Sequence, residues 1–275
     1  HAKSLGRNRY QFFTDELNQK TQLRANMESE LRQALVTGEG FRMAYQPKIG
    51  CSSEGLVGLE ALVRWIHPVR GFVPPDQFIG VAEDALLIDR LGDWIVNAVL
   101  KQVAAWRGGP LANIPVAINI SPLQLRNPGF VTRLGQAADA LGVERRMIEL
   151  EITEGVFIGD IDGARLLLDS IKQGGFKLTL DDFGSGYSNF QHILTLNVDY
   201  LKIDGSLIKD IIVNERTRIV VETIVDFAQK MGAKTIAEFV CNEEILQMVT
   251  SLGIDFAQGY YIGKPDTIEH AKDIS

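Results

Sequence analysis

Cysteine is scarce in this chain of 275 residues: only Cys51 and Cys241 occur, too few and too isolated for a disulfide framework. A reducing, cytosolic compartment is the simplest reading of that scarcity. Histidine is nearly as rare. The four present (His1, His67, His192 and His270) show no HxxxH spacing, which argues against a zinc site built on nitrogen ligands. Long apolar runs are missing too, charges breaking each stretch well short of membrane-spanning length, and no signal-peptide pattern opens the chain. Nor is there a dense basic block. With 28 Lys and Arg against 35 Asp and Glu, the net charge is −7, so a DNA or RNA polymer held through its backbone is not an expected partner. Any phosphate-bearing substrate would need something other than bulk charge to attract it, and metal ions are the obvious candidates.

Several motifs of phosphate and acyl chemistry are absent as well. The Gly184-Ser185-Gly186 tripeptide has no glycine three residues on, so the dinucleotide fingerprint fails, and neither a P-loop nor a G-x-S-x-G elbow occurs. Asp182-Phe183-Gly184 matches the kinase tripeptide without the glycine-rich loop or HRD segment that should accompany it. What remains is an ordinary globular composition, 45% hydrophobic and 23% charged, long enough for one large core or two small ones.

The first thirteen residues do not read as the start of a domain. A basic turn leads into a short aromatic strand, RYQFF, with no partner nearby, and a lone strand is unstable. Residues 1–13 are therefore assigned to an upstream domain. Residues 14–37 then form a linker helix with Thr14 as N-cap, its apolar positions Leu17, Leu23, Met27, Leu31 and Leu35 mostly four apart, ending before Gly38 and Gly40. Such a helix suits joining two domains, pairing with a copy of itself, or packing on its own domain.

From residue 38 to 275 the pattern is that of one domain. Strand-like runs at 41–49, 56–65, 115–120, 147–153, 176–183, 199–204, 233–240 and 256–263 mostly alternate with helical stretches. Eight strands in that alternation predict an α/β fold, a modified (β/α)8 TIM-like barrel, with a doubly wound open sheet as the alternative. Only GCSSEG separates the first two strands, too little for a parallel crossover, so the first should run antiparallel. The interior of such a barrel is expected to be apolar, with chemistry where strands end. Polar residues gather there: Glu60, Asn119, Glu151 with Glu154, Asp181 with Asp182, Lys202 with Asp204, Glu238 and Gln258. Several ionised carboxylates facing one space repel each other and lose hydration unless cations neutralise them, so the pattern calls for metal. Carboxylate and amide oxygens suit Mg2+ or Mn2+. Asp181 and Asp182 could serve two ions only if the strand end distorts, since neighbouring side chains normally point apart. Two hard ions and one lysine are equipment for hydrolysing a phosphodiester. Lys202 could instead pair with Asp204, Arg64 just past a strand end could be a surface cation or a phosphate clamp, and DDFGSGYSNF reads as a mobile loop over the site or a polar turn before a helix.

Glu60-Ala61-Leu62 with Val63-Arg64-Trp65 resembles the signature of EAL domains, the cyclic di-GMP phosphodiesterases. The resemblance runs over about residues 32–268. It takes in Tyr45-Gln46-Pro47, Pro75 to Glu83, Asn119 to Pro122, Glu151 to Glu154, Asp181 to Asn189, Leu201 to Asp204, Ala237-Glu238 and Gln258 to Tyr261. It implies a barrel with an antiparallel first strand and two ions, Mg2+ or Mn2+. Glu60, Asn119, Glu151 and Asp181 would hold one, and Asp181, Asp182 and Glu238 the other. It also implies catalytic roles for Glu60, Lys202 and Glu238, with Lys202 at the attacking water. Gln46, Leu62, Arg64, Ser121 and Gln258 would contact the dinucleotide, and Glu154 would anchor the loop through which metal binding and dimerisation communicate. The implied reaction opens cyclic di-GMP to linear pGpG. The N-terminal stretch is similar to the end of a GGDEF diguanylate cyclase domain, so an upstream GGDEF domain and a homodimer through the barrel or the linker helix are the implied partners. The domain would be cytoplasmic, in a full-length protein that could be membrane-attached. Other readings from this resemblance are a receptor that binds the dinucleotide without cleaving it and a dimerisation element for the upstream cyclase. Where many members read AEGVET this chain has Phe239, Cys241 and Asn242, and Ser185 replaces the usual threonine.

Overall fold

The computed structural model describes residues 6–52, 55–153, 156, 161–185 and 196–267. They fall in two compact units, His1–Arg42 with Arg64–Trp94, and Met43–Val63 with Ile95–Ser275.

In the first unit, helix α1 runs from Gly6 to Thr37. It takes up residues read above as an aromatic strand and begins well before Thr14, which corrects both expectations. A lone strand has no ladder partner, whereas a helix satisfies its backbone internally, so the local pattern yields to helix. The end of strand β2 (Leu56–His67) pairs antiparallel with a three-residue strand, β3 (Gly71–Val73), Trp65 opposite Val73. Helix α2 (Pro75–Asp84) follows, with proline in its first turn, where the missing N–H costs nothing. Phe41, Trp65, Phe78 and Trp94 stack around one another with centroids 5.3–6.3 Å apart. Gly40, at φ +84°, lets the chain pass so close to Ile66 that a Cβ would strike its carbonyl. Arg70 grips the Glu30 carboxylate of α1 through two hydrogen bonds of 2.8 and 3.1 Å.

The second unit holds the barrel. Its strands are β1 (Phe41–Gly50), β2, β4 (Val116–Asn119), β5 (Ile148–Thr153), β6 (Lys177–Phe183), β7 (Tyr200–Ile203), β8 (Lys234–Ala237) and β9 (Phe256–Gln258). The order β1-β9-β8-β7-β6-β5-β4-β2, closed by β1 on β2, makes eight staves. β1 runs antiparallel to β9 while the others are parallel, as the short first connection required. The outer layer comprises α3 (Ile88–Ala105, from Ile95 on), α5 (Phe130–Ala140), α6 (Ile161–Gln173), α8 (Glu215–Met231) and α9 (Glu243–Ser251), with short α4 (Pro122–Leu125) and α7 (Gly205–Asp210) just past β4 and β7. Their apolar faces meet the outward strand residues Leu59, Ile118, Leu150, Leu180, Leu201 and Ala237 in one core. Asn242, a departure from the family pattern, is the N-cap of α9, accepting from the Ile245 N–H at 2.8 Å. Asparagine caps as well as the threonine usual there.

Candidate active site at the barrel rim

Register assembles the site. Partners across parallel strands point the same way, and so do side chains two apart on one strand. Glu60 pairs with Ala117, Asn119 with Glu151, Thr153 with Asp181, Thr179 with Tyr200, and Lys202 with Ile236. Hence Glu60, Asn119, Glu151, Asp181, Lys202 and Glu238, from six staves, share the inner side at the carboxyl ends.

Lys202 sits at their centre. Its buried ammonium lies 3.2 Å from Glu60, 3.1 Å from Glu151, 3.5 Å from Asp181 and 3.0 Å from Glu238. Burial works against its charge, but the four carboxylates outweigh burial and hold the ammonium well above the usual lysine range. Pairing with Asp204 does not occur. That residue instead caps α7, accepting from the Ser206 N–H at 2.8 Å. Glu60 also accepts from Asn119 at 2.7 Å and Gln258 at 2.6 Å, and Gln258 donates to Gln46 at 3.2 Å. Burial alone would raise the Glu60 carboxyl, yet Lys202 and the two amides bring it down to about 2. Burial pushes the Glu238 carboxyl up to about 7 despite Lys202, with Asp181 reinforcing the rise, and lifts the carboxyl of fully buried Glu151 well above the ordinary range.

The distortion required of Asp181 and Asp182 is present. The register shifts between Leu180 and Phe183, and Asp182 adopts φ +57°. A left-handed residue at a strand end turns its side chain out of alternation. Oxygens of Asp181, Asp182 and Glu238 consequently lie within 4.8 Å of one another. The donor set is all oxygen, Glu151 Oε1 has no hydrogen-bond partner, and the rim carries five carboxylates against one ammonium. These residues fit hard divalent ions.

Below the rim the barrel departs from the apolar interior expected. Lys48, buried, donates to Glu149 at 2.8 Å and lies 3.7 Å from Glu151, while Thr179 donates to Glu149 at 2.6 Å. Sequence reasoning passed over Lys48 and Glu149. The available signal was the alternation Glu149, Glu151 on one strand, which puts both on the inner face.

A cavity of about 450 Å3 opens beside the rim, lined by Gln46, Glu60, Leu62, Glu238, Phe239, Cys241, Gln258 and Tyr260 among others. Gln46, Leu62 and Gln258 thus share one cleft. Ser121 serves as N-cap of α4, accepting from the Leu123 N–H. Arg64 lies inside β2 rather than past its end, in the first compact unit, because β2 extends to His67 to pair with β3. Glu154 and residues 186–195, most of the loop named above, lie outside the described residues.

An eight-stave barrel with one reversed strand thus brings its carboxylates onto a lysine beside a ligand-sized cleft, at the strand ends where barrels of this kind carry their sites, and Asp181, Asp182 and Glu238 could hold a metal ion there. Residues 28–265 match the EAL domain family, and the chain belongs to it. It is 33% identical over 265 residues to the bifunctional diguanylate cyclase/cyclic di-GMP phosphodiesterase MucR of Pseudomonas aeruginosa, covering 96% of this chain and 38% of that protein. It is 36% identical over 264 residues to the cyclic di-GMP phosphodiesterase PdeR of Escherichia coli, covering 96% of this chain and 40% of PdeR. The chain thus spans about two-fifths of these relatives' length. Among solved structures, the MucR phosphodiesterase in complex with c-di-GMP superposes with a TM-score of 0.84 at 31% identity, over 90% of this chain and 99% of that one. The EAL enzyme Bd1971, with cAMP and cyclic di-GMP bound, gives 0.88 at 27% identity, over 97% and 73%. No described helix is long and apolar enough to cross a membrane.

Proposed function

We propose that this domain hydrolyses cyclic di-GMP to linear pGpG with two divalent ions, Mg2+ or Mn2+, in bacterial second-messenger signalling. The observation that carries the reading is the rim itself, where Asp181, Asp182 and Glu238 converge and Lys202 is ringed by four carboxylates. Glu60, Asn119, Glu151 and Asp181 would hold one ion, and Asp181, Asp182 and Glu238 the other. Bound there, the ions would lower the pKa of a water and offset charge on the phosphoryl oxygens. Lys202 would orient that water and take up negative charge developing on phosphate. Gln46, Leu62 and Gln258 would position the dinucleotide along the cleft. A phosphodiesterase domain over residues 38–275, an upstream GGDEF domain, a homodimer and a cytoplasmic setting complete the proposal.

Cyclic di-GMP incubated with the protein and Mg2+ or Mn2+ should yield pGpG, and EDTA should stop it. Asp181→Ala should abolish turnover, since that carboxylate serves both ions, and should erase the rise in Tm that Mn2+ gives the parent. Cleavage by Asp181→Ala at the parent's rate would refute the ligand assignment. Dinucleotide that binds uncleaved under all metal conditions would convert the reading to a receptor.

A further inference from the structure

A second ammonium reaches the rim from underneath, and the hydrolytic reading leaves it unused. Lys48 lies on the reversed strand β1, two residues further from the mouth than Gln46, with Gln258 as its cross-strand partner on β9. Its side chain and that of Glu149 are almost wholly buried and pair at 2.8 Å. Gly58 of β2 makes room for the stem, since a Cβ there would come within 3.1 Å of Lys48 Cε. Glu151, two residues along β5 from Glu149, is thereby held between two ammoniums. Lys202 meets its Oε2 at 3.1 Å, and Lys48 stands 3.7 Å from its Oε1. Oε1 is buried and has no hydrogen-bond partner among the described residues, so Lys48 acts on it as a charge and not as a donor.

A buried ion pair adds little stability over neutral side chains of like size, so stability alone does not account for this one. Its placement does more. Lys48 and Glu149 are neutral as a pair, yet the positive end lies against Glu151. At such a distance in a protein interior the attraction exceeds thermal energy several-fold and resists rotation of the carboxylate. Each ammonium claims a different oxygen of Glu151, which fixes the plane of the group. A metal ligand serves only when it is held in one orientation, and the groups behind it do that holding.

We propose that Lys48 is a positioning residue for the ion site, fixing the Glu151 carboxylate from below so that Oε2 stays turned to the rim. The inference rests on Glu151 serving as a ligand, as proposed above, and adds the group that holds it in place. The test is Mn2+ titration of the substrate-free protein, followed by electron paramagnetic resonance, on the parent, Lys48→Met/Glu149→Gln and Thr179→Val, with thermal melting of each. The double variant takes out a neutral pair, so it strands no carboxylate and leaves the net charge of the interior unchanged. It should nonetheless bind one Mn2+ about 10- to 100-fold more weakly, the usual loss when a group behind a metal ligand is removed. Thr179→Val deprives Glu149 of a hydroxyl and keeps Lys48, so it should melt below the parent while holding its Mn2+ affinity within about twofold. A merely structural role would give the reverse order, with affinity following melting temperature. Where the double variant does not fold, Lys48→Gln/Glu149→Gln, whose amides can hydrogen-bond each other, reads the same loss. A folded double variant that binds Mn2+ as tightly as the parent or more tightly would overturn this inference and leave the proposed function standing. An equal loss of affinity in Thr179→Val would do the same. Failure of the parent to bind Mn2+ would overturn both.

Discussion

Replacing Lys48 by methionine tests the buried charge network under the rim. The ammonium has no solvent to fall back on and neutralises Glu149, 2.8 Å away, while standing 3.7 Å from Glu151. Without it, Glu149 keeps only the Thr179 hydroxyl, and a carboxylate is stranded where its charge is poorly solvated. Breaking one side of a buried pair costs about 3–5 kcal/mol, far more than the pair itself contributes over a neutral replacement. At about 2–4 °C per kcal/mol for a large domain, Lys48→Met should melt about 6–20 °C below the parent. The double variant Lys48→Met/Glu149→Gln removes both charges and should recover most of that loss. Urea denaturation at pH 7, followed by tryptophan fluorescence, measures all three proteins. A single variant within about 1 kcal/mol of the parent, or a double variant no better than the single, would refute the reasoning.

Asp199 takes hydrogen bonds from Lys172, from Lys177 at 2.8 Å and from the Leu178 N–H at 2.9 Å. Burial alone would raise its carboxyl, but these donors outweigh burial and hold it below the ordinary aspartate range. A group depressed in the folded state stabilises above its unfolded pKa, about 3.9, and ceases to as pH falls through the folded value. Asp199→Asn should therefore cost about 1–2 kcal/mol at pH 7 in urea denaturation, the gap closing in acid, partial exposure limiting the gain from charged donors. A gap that persisted unchanged at pH 2 would contradict this. Gly259→Ala should cost about 3 kcal/mol, since the added methyl meets main chain that cannot yield, and should weaken cyclic di-GMP binding with it. Calorimetry and thermal melting check both parts.

Much of the barrel was legible because its cues are local and repeated. Strand runs expected at 56–65, 147–153 and 176–183 appear as Leu56–His67, Ile148–Thr153 and Lys177–Phe183, and the short link after Gly50 fixed the reversed strand. The run at 256–263 shrinks to Phe256–Gln258 because Gly259 turns the chain onto Val240, a close approach visible only in three dimensions. RYQFF misled because aromatic residues favour strands only where a sheet receives them. Position near a strand end marked Asn119, Glu151, Asp181, Lys202 and Glu238, whereas Glu60 lies within β2. Their convergence on one ammonium depends on register, which no single strand encodes. Lys48 escaped notice because a lysine in a strand usually faces water.

The reversed first strand also determines where the chain can be handled. Gly50 pairs with Phe256, the first residue of β9, so the link from β1 to β2 leaves at the end of the barrel opposite the carboxylates. A dye or an affinity handle spliced between Gly50 and Leu56 would ride on the face away from the cleft. A domain tethered to a surface by that point would present its open mouth to the solution, ready for binding and turnover to be watched one molecule at a time.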